Sequence, residues 1–233
     1  MISGVLEIVL VQPPVEDFYF TPHRSSALGL QSLAAAWTKR GHSCHILNFP
    51  LEKPLKKKLP IPDALTYLYP HLKKHTKEMN GTSYFSSYFR FGPSPESCLE
   101  QIKILEPRVI AVSCFAWGYA KTTLKLLELL KKHWQKNLNP PLLVVGGPGA
   151  TVMPGYFTSF ADLVVTGEGE NAIEAIEKRA GQVSSPSCGE IVSPDPPLAF
   201  PFVWDLKTGR KNRFTATTMV TRGCPKMCSF CAN

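Results

Sequence analysis

The chain reads as an α/β protein built on a doubly wound parallel sheet, and three observations carry that reading. Short apolar runs rich in β-branched residues recur through the first 180 residues. They are continuous rather than alternating, as strands buried on both faces must be. Stretches with helical spacing separate them, and alternation of the two types implies parallel strands joined by helical crossovers. Each run also ends in proline, serine or glycine, residues that open loops.

The elements follow in order. Residues 5–11 form a buried strand that closes at Gln12, Pro13 and Pro14. After a loop at 15–26, residues 27–40 have helical spacing and stop at Gly41, a residue suited to ending a helix. Residues 42–49 form the second strand. Residues 50–104 break the rhythm with prolines, lysines and aromatics, and a mostly helical insertion is expected there. The run 108–113 resumes as a strand. Residues 119–134 form a helix whose Leu124, Leu126, Leu127, Leu130 and Trp134 make an apolar stripe, with lysines outside. Strands at 142–145 and 162–166 end at Gly146–Gly147 and at Gly167, Glu168, Gly169 and Glu170. A helix at 171–179 follows, with Asn171 as its expected cap. The expectation is a five-stranded parallel core within a first domain, 1–180. Residues 181–213, rich in Pro, Ser and Gly, read as a linker before a C-terminal extension at 214–233.

Composition narrows the function classes. With 44% apolar and 19% charged residues, the chain suits a globular protein with a real core. No apolar run reaches the about 18–20 residues of a membrane span, and Glu7 interrupts the apolar N-terminus, so a signal peptide is not expected. The net charge is +8. That charge is clumped at Lys53 and 56–58, at Lys73, Lys74 and Lys77, and at Lys131–Lys132. The last pair sits where a helix C-terminus attracts cations, and the others read as solvated faces rather than a nucleic-acid surface. Cys44, Cys98, Cys114 and Cys188 are scattered, with Cys44 and Cys114 in strand-like segments as buried thiols would be. A reducing, cytoplasmic compartment is expected.

The remaining three cysteines are different. Cys224, Cys228 and Cys231 follow the spacing C-x₃-C-x₂-C, which is a ligand pattern. A structural zinc wants four closed ligands, and no cysteine or histidine follows Cys231. A [4Fe–4S] cube with three thiolates keeps one iron open. Gly223 and Pro225 oppose a helix through Cys224, so the trio should sit in a loop.

In an open parallel sheet, ligands bind beyond the carboxyl ends of the strands. Those ends carry Pro13–Pro14, Ser113–Cys114, Gly146–Gly149 and Gly167–Glu170. Glycines let a flat ligand approach the backbone closely. Gly167-x-Gly169 is not a dinucleotide fingerprint, because no third glycine follows at the right spacing. Glu168 and Glu170 read as carboxylates drawn to a helix N-terminus rather than as paired acids.

The cysteine trio, with Phe230 before its last member, resembles the cluster motif of radical S-adenosylmethionine enzymes. The resemblance implies a [4Fe–4S] cluster whose open iron chelates S-adenosyl-L-methionine. The order of the earlier pieces is similar to that of a Rossmann-like cobalamin-binding domain over about residues 5–180. Ser113-x-Phe115 stands for that family's Ser-x-Leu and Gly146–Gly147 for its Gly-Gly. Pro13, Pro14, residues 28–30, Gly41–His42, and Gly167, Glu168 and Gly169 look like the variant of that domain fused to radical S-adenosylmethionine enzymes. The resemblance implies that Ser113 hydrogen-bonds the dimethylbenzimidazole tail and that the glycines let it pass between sheet and helix. One departure concerns the cobalt ligand of many such domains, Asp-x-His-x-x-Gly. The loop has His23, but Thr21 and Ser26 stand where Asp and Gly would, so His23 reads as an ordinary loop histidine.

The chain therefore reads as the N-terminal part of a cobalamin-binding radical S-adenosylmethionine enzyme of the methyl-transfer or rearrangement class. The sequence stops two residues after Cys231, so the catalytic barrel is expected to be absent or supplied by a partner subunit, and no catalytic residue is assigned. Two readings stay beside it: a non-catalytic cobalamin-binding module, and a flavodoxin-like nucleotide- or flavin-binding domain.

Overall fold

A computed structural model of the chain describes residues 4–18, 27–53, 56–71, 87–182, 189–194, 204–208 and 214–218. In chain order the elements are β1 (Glu7–Gln12), β2 (Val15–Asp17), α1 (Leu28–Lys39), β3 (Ser43–Asn48), β4 (Lys57–Leu59) and β5 (Tyr88–Phe91). Then come α2 (Pro95–Ile104), β6 (Val109–Ser113), α3 (Ala120–Trp134), β7 (Leu142–Gly146), α4 (Pro148–Val152) and β8 (Leu163–Val165). The last are α5 (Ile173–Ala180), β9 (Glu190–Val192), and β10 (Trp204–Thr208) paired antiparallel with β11 (Phe214–Thr218).

The main sheet has the order β3-β1-β6-β7-β8-β9, and every neighbouring pair is parallel. Its apolar runs are continuous because both faces are covered. In β1, Ile8, Val9, Leu10 and Val11 are all fully buried. Val9 and Val11 point to one face, with Cys98 and Ile102 of α2 and Leu126, Leu127 and Leu130 of α3. Ile8 and Leu10 point to the other, with Leu30 and Trp37 of α1 and Ile173 and Ile176 of α5. Each such fully buried aliphatic side chain is worth about 1.5–3 kcal/mol. The fold is the doubly wound α/β class expected.

Four details differ from the sequence expectation. The sheet has six strands, and the sixth, β9, lies in the segment read as a linker. Gly189 lets that strand start close to its neighbours, since a Cβ there would come within 2.5 Å of the Thr158 carbonyl oxygen. Among the described residues of 50–104, Asp63–His71 and α2 are helical, but β4 and β5, which join β2 in a small antiparallel sheet of order β2-β5-β4, were not expected. Lys56 helps to hold that sheet, its Nζ 3.7 Å above the Phe89 ring. Asn171 caps no helix; it lies in a 3₁₀ turn, Gly169–Ala172, and α5 begins at Ile173 without a side-chain cap. Finally, Cys114 and Cys98 are both fully buried while Cys44 is only half-buried.

At the opposite, amino end of the sheet a charged clamp ties α1 to α5. Arg40 donates two hydrogen bonds to Glu177. His42 contacts the same carboxylate at 2.9 Å and accepts from the Leu6 backbone N–H through Nδ1. That acceptance leaves the proton on Nε2, facing Glu177.

Candidate functional site

Sheet order places the site. The chain winds outward in both directions from the pair β1 and β6, so a crevice opens at their carboxyl ends. Pro13 and Pro14 leave β1 there, both buried, and lead directly into β2. Ser113, Cys114 and Phe115 leave β6 beside them. The small antiparallel sheet thus grows out of the rim of the large one.

The loops around the crevice are held by backbone contacts that only glycine permits. Gly147 has φ 95 and ψ 174, a conformation essentially restricted to glycine. The Cys114 N–H donates to the Gly146 carbonyl at 2.8 Å, and the Gly149 N–H donates to the Cys114 carbonyl at 2.7 Å. Gly149 sits so close that a Cβ would lie 2.4 Å from Cys114 Sγ and 2.7 Å from the Ala116 carbonyl carbon. Thr151 ties this turn to the next: its hydroxyl donates to the Gly147 carbonyl at 3.2 Å and accepts from the Gly167 N–H at 3.0 Å. Gly167 also has positive φ, at 70. Gly169 lies against α1, where a Cβ would be 3.1 Å from Leu33 Cδ2. The hydroxyl of Ser32 on α1 donates to Glu170, and Glu168 lies between these contacts on the same turn.

Aromatic groups line the outer rim. Phe115 stacks on Tyr119 with ring centroids 4.8 Å apart. The Tyr119 hydroxyl donates to Asp17 at 2.7 Å, which ties the β2 strand to the start of α3 across the crevice mouth. Burial and the neighbouring Asp17 carboxylate raise the Tyr119 pKa well above its ordinary value, so it remains a donor. Burial, then Glu16 and Asp17, push Tyr88 to about 12. Trp117 meets Tyr156 edge-on at 5.2 Å, and Trp117, Tyr156, Val152 and Met153 are all exposed.

Registers across the sheet bring a polar row to its carboxyl end. Gln12 is paired with Asn48, Val11 with Val112, and Ser113 with Gly146. Asn48, Gln12, Ser113 and Gly146 therefore end adjacent strands, β3, β1, β6 and β7. Two buried carboxamide oxygens here, Asn48 Oδ1 and Gln31 Oε1, have no hydrogen-bond partner among the described residues. Leaving such a group unpaired costs about 1–3 kcal/mol.

The expected residues Pro13, Pro14, Ser113, Phe115, Gly146, Gly147, Gly167, Glu168 and Gly169 all lie at this end of the sheet. Cys224, Cys228, Cys231 and His23 lie outside the described residues. Among the described residues no cluster of His, Cys, Asp and Glu could hold a metal. Burial raises the thiol pKa of Cys44 to about 11 and of Cys98 to about 12, and it also raises that of Cys114; none is a thiolate at neutral pH. Gln12, Gln31, Asn48 and Tyr119 were not expected at the site. A period of two along each strand puts Gln12 and Asn48 on the helix-covered face, but only the register sets them side by side.

Residues 86–177 match the B12 binding domain family. Over 156 residues the chain is 30% identical to the cobalamin-dependent radical SAM methyltransferase TokK of Streptomyces tokunonensis. That alignment covers 55% of this chain and 22% of the relative, so the chain spans about a fifth of its length. Residues 86–177 are thus similar to a cobalamin-binding domain. The matched region holds β6, β7 and β8 with Ser113, Phe115, Gly146, Gly147, Gly167, Glu168 and Gly169. The residues present suit a corrinoid: a Cβ at Gly146 would meet only Val165, at 3.5 Å, and two buried oxygens, Asn48 Oδ1 and Gln31 Oε1, have no donor among the described residues. Among the described residues, no helix is long and apolar enough to cross a membrane.

Proposed function

We propose that this chain is the cobalamin-binding portion of a radical S-adenosylmethionine enzyme of the methyl-transfer class. The observation that carries the reading is the glycine-lined crevice beside the ends of β6 and β7, in a region similar to the B12 binding domain. The C-x₃-C-x₂-C spacing of Cys224, Cys228 and Cys231 downstream of it supports the radical half of the reading. Similarity to a cobalamin-dependent radical SAM methyltransferase supports the pairing of cobalamin with radical chemistry.

In this reading bound cobalamin supplies a cobalt centre able to carry and hand over a methyl group. The residues of this chain bind and orient it. Ser113 and the backbone at Gly146 and Gly147 receive the tail, while Pro13, Pro14 and Phe115 border the mouth. Gly169 and Glu170 hold the α5 turn against α1, with Glu168 beside them. Cys224, Cys228 and Cys231 would hold a [4Fe–4S] cluster that binds S-adenosyl-L-methionine. The barrel of such an enzyme comes from further chain or from a partner subunit. The exposed aromatic rim at Trp117 and Tyr156 is a surface that such a part could cover. A cytoplasmic setting belongs to the same proposal, because an open [4Fe–4S] iron needs reducing surroundings.

The test is spectroscopic. The purified chain, mixed with hydroxocobalamin and desalted, should retain corrin absorbance at one equivalent. After anaerobic reconstitution with iron and sulfide it should also gain iron and sulfide that are lost in a variant with Cys224, Cys228 and Cys231 changed to alanine. Retention of flavin in place of corrinoid would favour the flavodoxin-like reading. Corrin binding with no cysteine-dependent iron would leave a cobalamin-binding module without radical chemistry.

A further inference from the structure

The polar row at the end of the sheet has more hydrogen-bonding capacity than the fold uses. Side chains alternate along a strand, so the face of each residue follows from its neighbours. Cys44, two pairs of residues before the end of β3, packs in the cluster beneath α1 and α5, which puts Asn48 on that face. Ile8 and Leu10 put Gln12 there, Val109 and Ala111 put Ser113 there, and Leu142 and Val144 put Gly146 there. Gln31 lies in the first turn of α1, between Ala27 and Ala34, which pack against the same cluster. Helix and sheet thus face each other across a layer edged by Asn48, Gln12, Ser113 and Gln31, with Gly146 open beyond. Of the buried side-chain polar atoms without a partner among the described residues, Asn48 Oδ1 and Gln31 Oε1 are two; Arg90 Nε is the third.

We infer that Gln31 and Asn48 accept hydrogen bonds from the nucleotide tail of cobalamin, and that this pair makes the site select corrinoids that carry such a tail. The inference rests on the cobalamin reading above. A space between a helix and a sheet admits a narrow group and excludes a macrocycle, so the tail enters and the corrin stays at the rim. Two carbonyl oxygens need N–H or O–H donors. The tail offers ribose hydroxyls, which cobinamide lacks, whereas its benzimidazole carries no donor. The base lies instead along Ser113 and the side-chain-free Gly146, and the sugar side of the tail reaches the two amides toward β1 and β3.

The test compares the 233-residue chain with its Gln31→Met and Asn48→Leu variants, by calorimetric titration with hydroxocobalamin and with cobinamide, which lacks the tail. Each variant should bind hydroxocobalamin about three- to tenfold more weakly, the effect of one neutral hydrogen bond. Cobinamide affinity should stay as in the wild type. Without ligand, both variants should melt at the same or a higher temperature, because each removes an unpaired buried polar atom. Unchanged hydroxocobalamin affinity would overturn the inference, as would an equal loss for cobinamide. A lower melting temperature of the free variants would mean that the amides serve the fold, and would overturn it as well. Wild-type chain that failed to bind hydroxocobalamin at all would sink the cobalamin reading itself, whereas wild-type binding with indifferent variants would sink only the role of Gln31 and Asn48.

Discussion

A methyl group added at Gly147 should cost the free protein stability, whereas the same methyl at the preceding Gly146 should cost only ligand. At Gly147 the backbone has φ 95 and ψ 174, which an L side chain adopts at about 1–3 kcal/mol. Its Cβ would also press on the Cys114 carbonyl oxygen at 3.0 Å, and neither the Gly149 N–H bonded to that carbonyl nor the turn behind it can give freely. Together these effects place Gly147→Ala about 2–4 kcal/mol below wild type. With a typical urea dependence that is a midpoint lower by about 1–2 M. At Gly146 the new Cβ would meet only Val165 at 3.5 Å, an ordinary contact. Replacing a strand glycine there should leave the urea midpoint unchanged or slightly raised. The methyl would, however, stand beside Ser113 where the tail is proposed to pass, and overfilling a packed space costs about 1–3 kcal/mol, a loss of about five- to 150-fold in hydroxocobalamin affinity. Urea unfolding without ligand and titration with hydroxocobalamin read the two quantities separately. A wild-type midpoint for Gly147→Ala would refute the backbone argument. Wild-type affinity for Gly146→Ala would refute the path of the tail. Valine at Gly147 could not separate them, because it would strain the loop before any ligand arrived.

Further predictions concern the parts that hold this site in place. The Arg40 hydrogen bond, with help from His42, holds the Glu177 carboxyl below its ordinary 4.5. That stability is present above pH 4.5 and is lost as pH falls through the lower folded value. Glu177→Gln should therefore cost about 0.5–1 kcal/mol at pH 7, the modest value reflecting a half-exposed Arg40, and should flatten the acid limb of unfolding midpoints measured from pH 7 to 3. Tyr119→Phe removes the 2.7 Å bond to Asp17 and should lower stability by about 1 kcal/mol in urea unfolding. Equal stability would mean that β2 is held by other contacts. Peptide mass mapping after brief alkylation of the native protein at pH 8 should find Cys98 and Cys114 unmodified, since both are buried with raised thiol pKa values. Rapid labelling of either would contradict the packing described.

The five strands read from the sequence are present because their apolar runs carry the information themselves. A run such as 7–12, with four consecutive residues wholly buried, can only lie between two helical layers. The leucine stripe of α3 and the glycines closing β7 and β8 are equally local signals, and they were enough to place Ser113, Gly146 and Gly147 at one end of a parallel sheet. Three features had no such signal. β9 is three residues long and half-exposed, so its pairing with β8 rather than its composition makes it a strand. The small sheet joins Val15 to Phe91 and Lys57 to Arg90, contacts whose partners are far apart in the chain. The polar row needs the register of three strands and the position of α1 before Asn48, Gln12, Ser113 and Gln31 come together. A side chain's tendency to be buried is written in its own chemistry, but which other side chain it meets depends on loop closure and register, and these are set only when the layers pack.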